Sequence, residues 1–300
     1  MATIARPRAG AAAPTAFAGW LRTRQGQDFT KKAISYILLI FISALLLLPF
    51  VWMVSSSLKL QDQVFNPNWI PNPVAWSNYA EALDQAPFDV YFRNTLIMVI
   101  PRTIGTVLSA SLVAYSFARL KWPGRDLWFG ALLATMMLPG VVTWIPQYIL
   151  FSKLGWVNTF LPLIVPAWFS ANGIWIFLLR QFFRGIPMEL SEAAKIDGAS
   201  ELRIWWQIVM PLVTPALAFV GISAFTQAWQ DFQGPLIYLS TENNYVLQLG
   251  LIIFKASGGG VPQWHYLMAA SVMVMLPVLI LFFVGQRYFT EGVTLTGIKG

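Results

Sequence analysis

Hydrophobic positions in this chain do not alternate with polar ones; they run on. Six apolar stretches near 20 residues recur at roughly 33–54, 94–118, 127–150, 161–180, 208–229 and 265–286, each long enough to cross a hydrocarbon core as a helix. Only a helix satisfies its own backbone hydrogen bonds in lipid, so the pattern predicts an all-α integral membrane protein with six transmembrane helices. Prolines recur inside the runs at Pro101, Pro139, Pro146, Pro166, Pro215 and Pro277, which predicts local kinks lining a cavity. Of the intervening segments, 55–93 carries Asp62, Glu81, Asp84, Asp89 and the turn-rich NPNWIPNP, so it reads as a packed loop. Segment 230–264 holds NNYVLQLGLIIF, a candidate short helix, and then SGGG (257–260), a flexible stretch.

Composition agrees with the runs. Of the 300 residues 57% are hydrophobic and only 11% charged, against roughly 25% charged in an ordinary globular domain. The absence of cysteine excludes disulfides, Cys-type zinc sites and a Cys nucleophile. The first 32 residues are basic, rich in Ala and Pro, and aperiodic, which predicts a largely disordered cytoplasmic tail. The run 33–54 is too long for a signal-peptide core and no A-x-A site follows it, so it reads as a retained first span.

The net charge of +7 raises the possibility of nucleic-acid binding, but its distribution gives another explanation. With the N-terminus inside, the inner segments hold Arg6, Arg8, Arg22, Arg24, Lys31, Lys32, Arg119, Lys121, Arg125, Arg180, Arg184, Lys195, Arg203, Arg287 and Lys299. The outer segments hold only Lys59, Arg93, Lys153 and Lys255. Such a bias is the positive-inside signal. It places both termini in the cytoplasm, 287–300 as a second tail, and removes the case for nucleic acid.

The spans contain no Asp or Glu, so a proton relay through the membrane has no carrier. Arg102 lies inside the second span; it can neutralise an anionic substrate, or it snorkels or meets a loop carboxylate. His265 is the only histidine, which leaves a metal site or Ser-His chemistry without support. No GxxxxGK[ST] occurs and no Lys is followed by Ser or Thr, so the chain has no P-loop with which to hydrolyse ATP. Energy for transport then comes from an ion gradient or from a partner.

Between spans four and five lies ELSEAAKIDGAS (189–200), charged and helix-forming in an apolar chain. Pro187 falls at or near the first helical position, Glu189 and Glu192 complement the positive end of the dipole, and Gly198 supplies a left-handed stop. Leu190, Ala194 and Asp197 share one flank, with Ala193 and Ile196 beside it. An ordinary surface helix and a docking helix both fit these features.

The segment EAAKIDGASELRIWWQIVMP (192–211) resembles the EAA motif of ABC importer permeases at Glu192, Ala193, Ala194, Gly198, Ile208 and Pro211, with Met210 in place of Leu. VWMVSSSLK (51–59), GWVNTFLPLIVP (155–166), FLLRQFFRGIPMELSEAAKIDGAS (177–200) and QRYFTEGVTLTGIKG (286–300) are similar to MalG-like permeases of carbohydrate importers. The resemblance covers roughly 33–300.

It implies a type I ABC importer permease fold over 33–286 in a bacterial or archaeal cytoplasmic membrane. It also implies a pore shared with a second homologous permease, two ATPase subunits that bind the ATP and Mg, and an extracytoplasmic substrate-binding protein. This chain would hold no cofactor and catalyse nothing itself. The EAA coupling loop at about 181–207 would seat in the ATPase through Glu192, Ala193, Ala194, Asp197 and Gly198. Gly297, Ile298, Lys299 and Gly300 would lie between the ATPases, and 230–264 would reach toward the binding protein. Sugar is the expected cargo, with a glycerol-phosphate-type solute as the alternative. Aromatic faces and neutral polar groups that suit sugar occur at Trp168, Asn172, Trp175, Thr226, Gln227, Trp229 and Asp231, although aromatics at span ends also form interfacial belts. A secondary transporter or channel lacks the intramembrane carboxylates, and an intramembrane enzyme lacks a catalytic pair.

Overall fold

The computed structural model describes residues 24–169, 172–252, 254 and 262–297. The described residues are helical and turn-linked, with no strand among them. The N-terminal tail up to residue 23, the SGGG stretch and residues 298–300 lie outside them. Two units divide the chain, one ending at Ser55 and one beginning at Ser56. The first is mostly α1 (Arg24–Ser57), an apolar helix that starts within the segment expected to be tail and carries Pro49 inside it.

The second unit is built around α3 (Phe88–Arg119), which follows the short α2 (Ser77–Asp84). At 1.5 Å per residue α3 is about 48 Å long, more than the hydrocarbon thickness, so its ends stand clear of the lipid. Small buried residues, Ala110, Ser111 and Ala114, mark the face where neighbouring helices approach. Gly105 is required here, because a Cβ would meet the Trp168 ring at 2.6 Å.

The third and fifth runs depart from the straight spans expected. α4 (Arg125–Thr135) and α5 (Gly140–Lys153) meet at 98°. Pro139 is the cause: it disfavours helical backbone at Leu138 and itself caps α5 in an extended conformation. The fourth run is split into α6 (Leu161–Ile164), α7 (Pro166–Phe169) and α8 (Gly173–Arg184). After α9 (Met188–Ile196) and α10 (Glu201–Ile204), a π-helical turn over Trp205–Val209 leads into α11 (Met210–Leu212). α12 (Thr214–Trp229) then leaves at 87°, where Pro211 and Pro215 interrupt the hydrogen-bond ladder. Among the described residues four helices are thus long and apolar enough to cross a membrane, or up to six if each bent pair is one span.

The loop 230–264 contains α13 (Gln233–Tyr238) and α14 (Leu247–Gly250), the latter within the expected short helix. α15 (Trp264–Gly297) closes the fold and continues through the segment read as a C-terminal tail. Two apolar clusters hold the second unit. One joins Tyr91, Met98, Trp229, Leu247 and Ala270; the other joins Phe117, Leu179, Phe183, Ile204 and Val220.

Polar ties gather the same segments that the charge bias groups together. At one end Asn94 donates to the carbonyls of Asn243 (2.7 Å) and Tyr245 (2.9 Å), and the Leu247 N–H donates to Thr95 Oγ1 at 2.9 Å. There the Tyr266 hydroxyl also donates to Glu81 and holds that carboxyl below the usual range. The residues 115–125 and 180–204 come together at the other end.

Candidate functional site

The site at that second end is α9 and its seat. Pro187 is the N-cap, with an extended backbone (φ −54°, ψ 138°), directly before the first helical residue, Met188. Gly198 takes φ +79°. Its N–H donates to the Lys195 carbonyl at 3.0 Å, and the Ala199 N–H donates to the Ala194 carbonyl at 2.9 Å. Both bonds together form a Schellman stop. With no neighbour near the missing Cβ, the glycine is there for its left-handed backbone.

Ser191 and Ala194, one turn apart, are buried against the chain itself. Glu192, Ala193, Lys195 and Asp197 are exposed, and Ile196 is 87% exposed. The pair Ala193–Ala194, expected to act together, therefore divides: adjacent helical residues point about 100° apart, and only Ala193 faces outward.

Arg119, the last residue of α3, clamps this helix from within. It is 5% exposed. Nη1 donates to the carbonyls of Ile186 (2.5 Å) and Phe183 (3.4 Å); Nη2 donates to the Pro187 carbonyl (2.9 Å) and Ser191 Oγ (2.7 Å). Beside it the Tyr115 hydroxyl donates to Glu201 Oε2 at 2.6 Å, while Lys195 pairs with Glu201 Oε1 at 2.6 Å. Arg180 lies over the Phe129 ring at 3.9 Å and donates to the Phe117 carbonyl. The guanidinium fork explains the choice of Arg at position 119, since Lys cannot bridge several acceptors in one plane. Sequence reading counted Arg119 only as topology charge. A basic residue ending an apolar helix ordinarily snorkels, and no periodicity distinguishes one that turns inward.

A second site is a cavity of about 380 Å³ between α3, α5, α8 and α12. Four of the seven residues anticipated for a substrate path line it: Asn172, Trp175, Gln227 and Asp231. The other three do structural work. Trp168 packs over Gly105, Thr226 donates to the Ile222 carbonyl, and the buried Trp229 donates through Nε1 to the Val274 carbonyl at 2.9 Å. Trp144, Gln147, Gln233 and Tyr238 also line the cavity and were not anticipated. Gln147 and Trp144 sit on α5 three residues apart, a spacing that the unbroken apolar run concealed.

Arg102 is not free for an anion: its Nη1 lies 2.6 Å from Asp231 Oδ2. The loop-carboxylate reading of Arg102 holds. Asp231 Oδ1 accepts from the Gly234 N–H at 2.9 Å. For the C-terminal quartet, Gly297 ends α15, while Ile298, Lys299 and Gly300 lie outside the described residues. Among the described residues no cluster of His, Cys, Asp and Glu is arranged to hold a metal.

Apolar, proline-bent helices enclosing a polar cavity make a membrane permease. The chain belongs to the family of binding-protein-dependent transport system inner membrane components, whose model matches residues 105–294. The diacetylchitobiose uptake system permease NgcG of Streptomyces coelicolor is 31% identical, over 91% of this chain and 91% of its own length. The sn-glycerol-3-phosphate transport system permease UgpE of Pectobacterium atrosepticum is 32% identical, over 91% of this chain and 98% of its own. In fold the chain resembles a bacterial ABC transporter that imports the acidic polysaccharide alginate, with a TM-score of 0.77 and 23% identity over 89% of this chain and 98% of that one. It is a multi-pass permease subunit of an ABC importer, and the system it serves depends on a substrate-binding protein.

Proposed function

We propose that this chain forms half of a carbohydrate-translocation pore and is driven through α9 by ATPase partners. A second, homologous permease supplies the other half, two ATPase subunits bind ATP and Mg beneath, and both termini of this chain lie on their side. The C-terminal residues 297–300 reach between the ATPases. The binding protein delivers solute to the end formed by the loop 230–264.

One observation carries the reading: α9 has an anchored inner face and an exposed outer one. Arg119 holds the inner face at 2.5–2.9 Å contacts, whereas Glu192, Ala193 and Ile196 face away from the chain. A rigid, capped helix tied to the 32-residue α3 transmits displacement, where a loose loop would absorb it. Glu192 supplies the ionic contact, Ala193 allows close approach, and Ala194 anchors the helix. Asp197 caps the helix beside Gly198.

Glu192→Lys tests the docking role. In the assembled importer, uptake and substrate-stimulated ATP hydrolysis should be lost while membrane insertion and co-purification of the partner permease persist; normal uptake would end the proposal. Sugar is favoured over a glycerol-phosphate-type solute because Arg102, the one cation lining the cavity among the described residues, is already paired with Asp231.

A further inference from the structure

Resting on the carbohydrate reading, we propose that the cavity between α3, α5, α8 and α12 is a ligand subsite in this chain for an uncharged, polyhydroxylated solute. Asp231 is its specificity-determining residue: it cancels Arg102 and so denies anions a counter-charge.

Among the described residues Arg102 is the only cation in the cavity lining and Asp231 the only carboxylate. Their side chains are 29% and 19% exposed, and their ionised atoms stand 2.6 Å apart. The second oxygen of Asp231 is also engaged, accepting from the Gly234 N–H at 2.9 Å. Gly234 is matched to that arrangement, because a Cβ there would come within 2.9 Å of Asp231 Oδ2 and 2.8 Å of the Leu163 side chain. The lining is thus electroneutral and its carboxylate is fixed from two sides.

The remaining polar groups fit hydroxyls. The side-chain amides of Gln147, Gln227 and Gln233 make no hydrogen bond among the described residues. Among the described residues Asn172 uses only its oxygen, which caps α8 by accepting from the Ile174 N–H. Each amide offers both donors and an acceptor, which matches a hydroxyl group able to play either part. Trp144, Trp175 and Tyr238 line the same space, giving apolar aromatic faces for the C–H side of a sugar ring. The volume falls in the range of small-molecule sites, about 300–1,000 Å³.

An anionic solute meets a different site. To use Arg102 it must displace Asp231, which leaves that carboxylate beside a second negative charge. If it does not displace Asp231, it loses its own hydration for neutral amides alone. Both routes are unfavourable for charge and neither is for a hydroxyl.

The test uses the permease pair with its ATPases in lipid nanodiscs, without the binding protein, and reads ligand contact by saturation-transfer NMR. The probes are maltose, cellobiose and diacetylchitobiose as neutral glycans and digalacturonate as the anion. Wild type should show contact with at least one neutral disaccharide and none with digalacturonate. Asp231→Asn should raise digalacturonate affinity about tenfold or more, as expected when a close charge is unmasked, and Arg102→Gln/Asp231→Asn should abolish that gain. The double variant separates loss of charge balance from damage to the fold. Digalacturonate contact in wild type, no gain in Asp231→Asn, or contact with no glycan at all would each overturn the subsite. ATP-driven glycan uptake is measured on the same purified wild-type assembly reconstituted into proteoliposomes with its binding protein. Glycan uptake with a failed NMR result discards the subsite alone; ATP-driven uptake of no glycan discards the carbohydrate reading on which the subsite rests.

Discussion

Replacing Arg119 with Met should release α9 without unfolding the rest of the second unit. The buried guanidinium makes three contacts of 2.5–2.9 Å, to the carbonyls of Ile186 and Pro187 and to Ser191 Oγ. Methionine keeps most of the apolar stem and removes all three. At a net value of about 1–1.5 kcal/mol for each bond, the docking of α9 weakens by about 3–4 kcal/mol. Because 1.4 kcal/mol is tenfold in an equilibrium constant, opening of α9 becomes about 10²–10³ times more frequent. Hydrogen exchange reports this directly. The amides of Asp197, Gly198 and Ala199, bonded to Ala193, Lys195 and Ala194, should exchange faster by that factor. The Leu247 amide, bonded to Thr95 Oγ1 at the opposite end, should be unchanged. Arg119→Lys should fall between, since an ammonium reaches fewer of these acceptors. Unchanged exchange in α9 would refute the clamp; equal acceleration at both ends would show that Arg119 supports the whole unit and does not act locally.

Two further outcomes follow from the same geometry. Gly198→Ala places a Cβ on a backbone at φ +79° with open space around it; the cost is conformational, about 1–2 kcal/mol, and should appear as accelerated exchange at Ala199 that Gly198→Asn partly spares. Asn94→Ala removes both bonds to 243–245 and leaves two carbonyls unpaired, a loss of about 1–3 kcal/mol, and limited proteolysis should then cut within 239–246 while α9 stays protected.

The helices were legible from the sequence because lipid imposes the runs: a segment that cannot hydrogen-bond to its surroundings has to be long, apolar and helical. The bends were legible as prolines but not as angles. Pro139 and Pro101 look alike in the sequence, yet the first ends a helix at a 98° corner while the second sits inside α3. What decides is whether neighbouring helices support the freed carbonyls, and that is a tertiary matter.

For α9 the caps could be read, since Pro187 and Gly198 act within a few residues of themselves. Its orientation could not: Ala193 and Ala194 are chemically identical, and only the position of Arg119, about 70 residues earlier, turns one inward. The cavity shows the same limit. Its amides and aromatics are ordinary in span ends, and the Arg102–Asp231 pair joins residues 129 positions apart. Trp229, an attractive sugar platform by composition, is instead consumed by the core through its bond to Val274.

The claim that this chain is a pore driven from outside itself is best met by uptake into proteoliposomes containing the two permeases and two ATPases, with the binding protein and a radiolabelled neutral glycan outside and ATP within. Glycan should accumulate only when ATP and binding protein are both present, and should stop with Glu192→Lys. Equal uptake without ATP, or by this chain alone, would contradict the account.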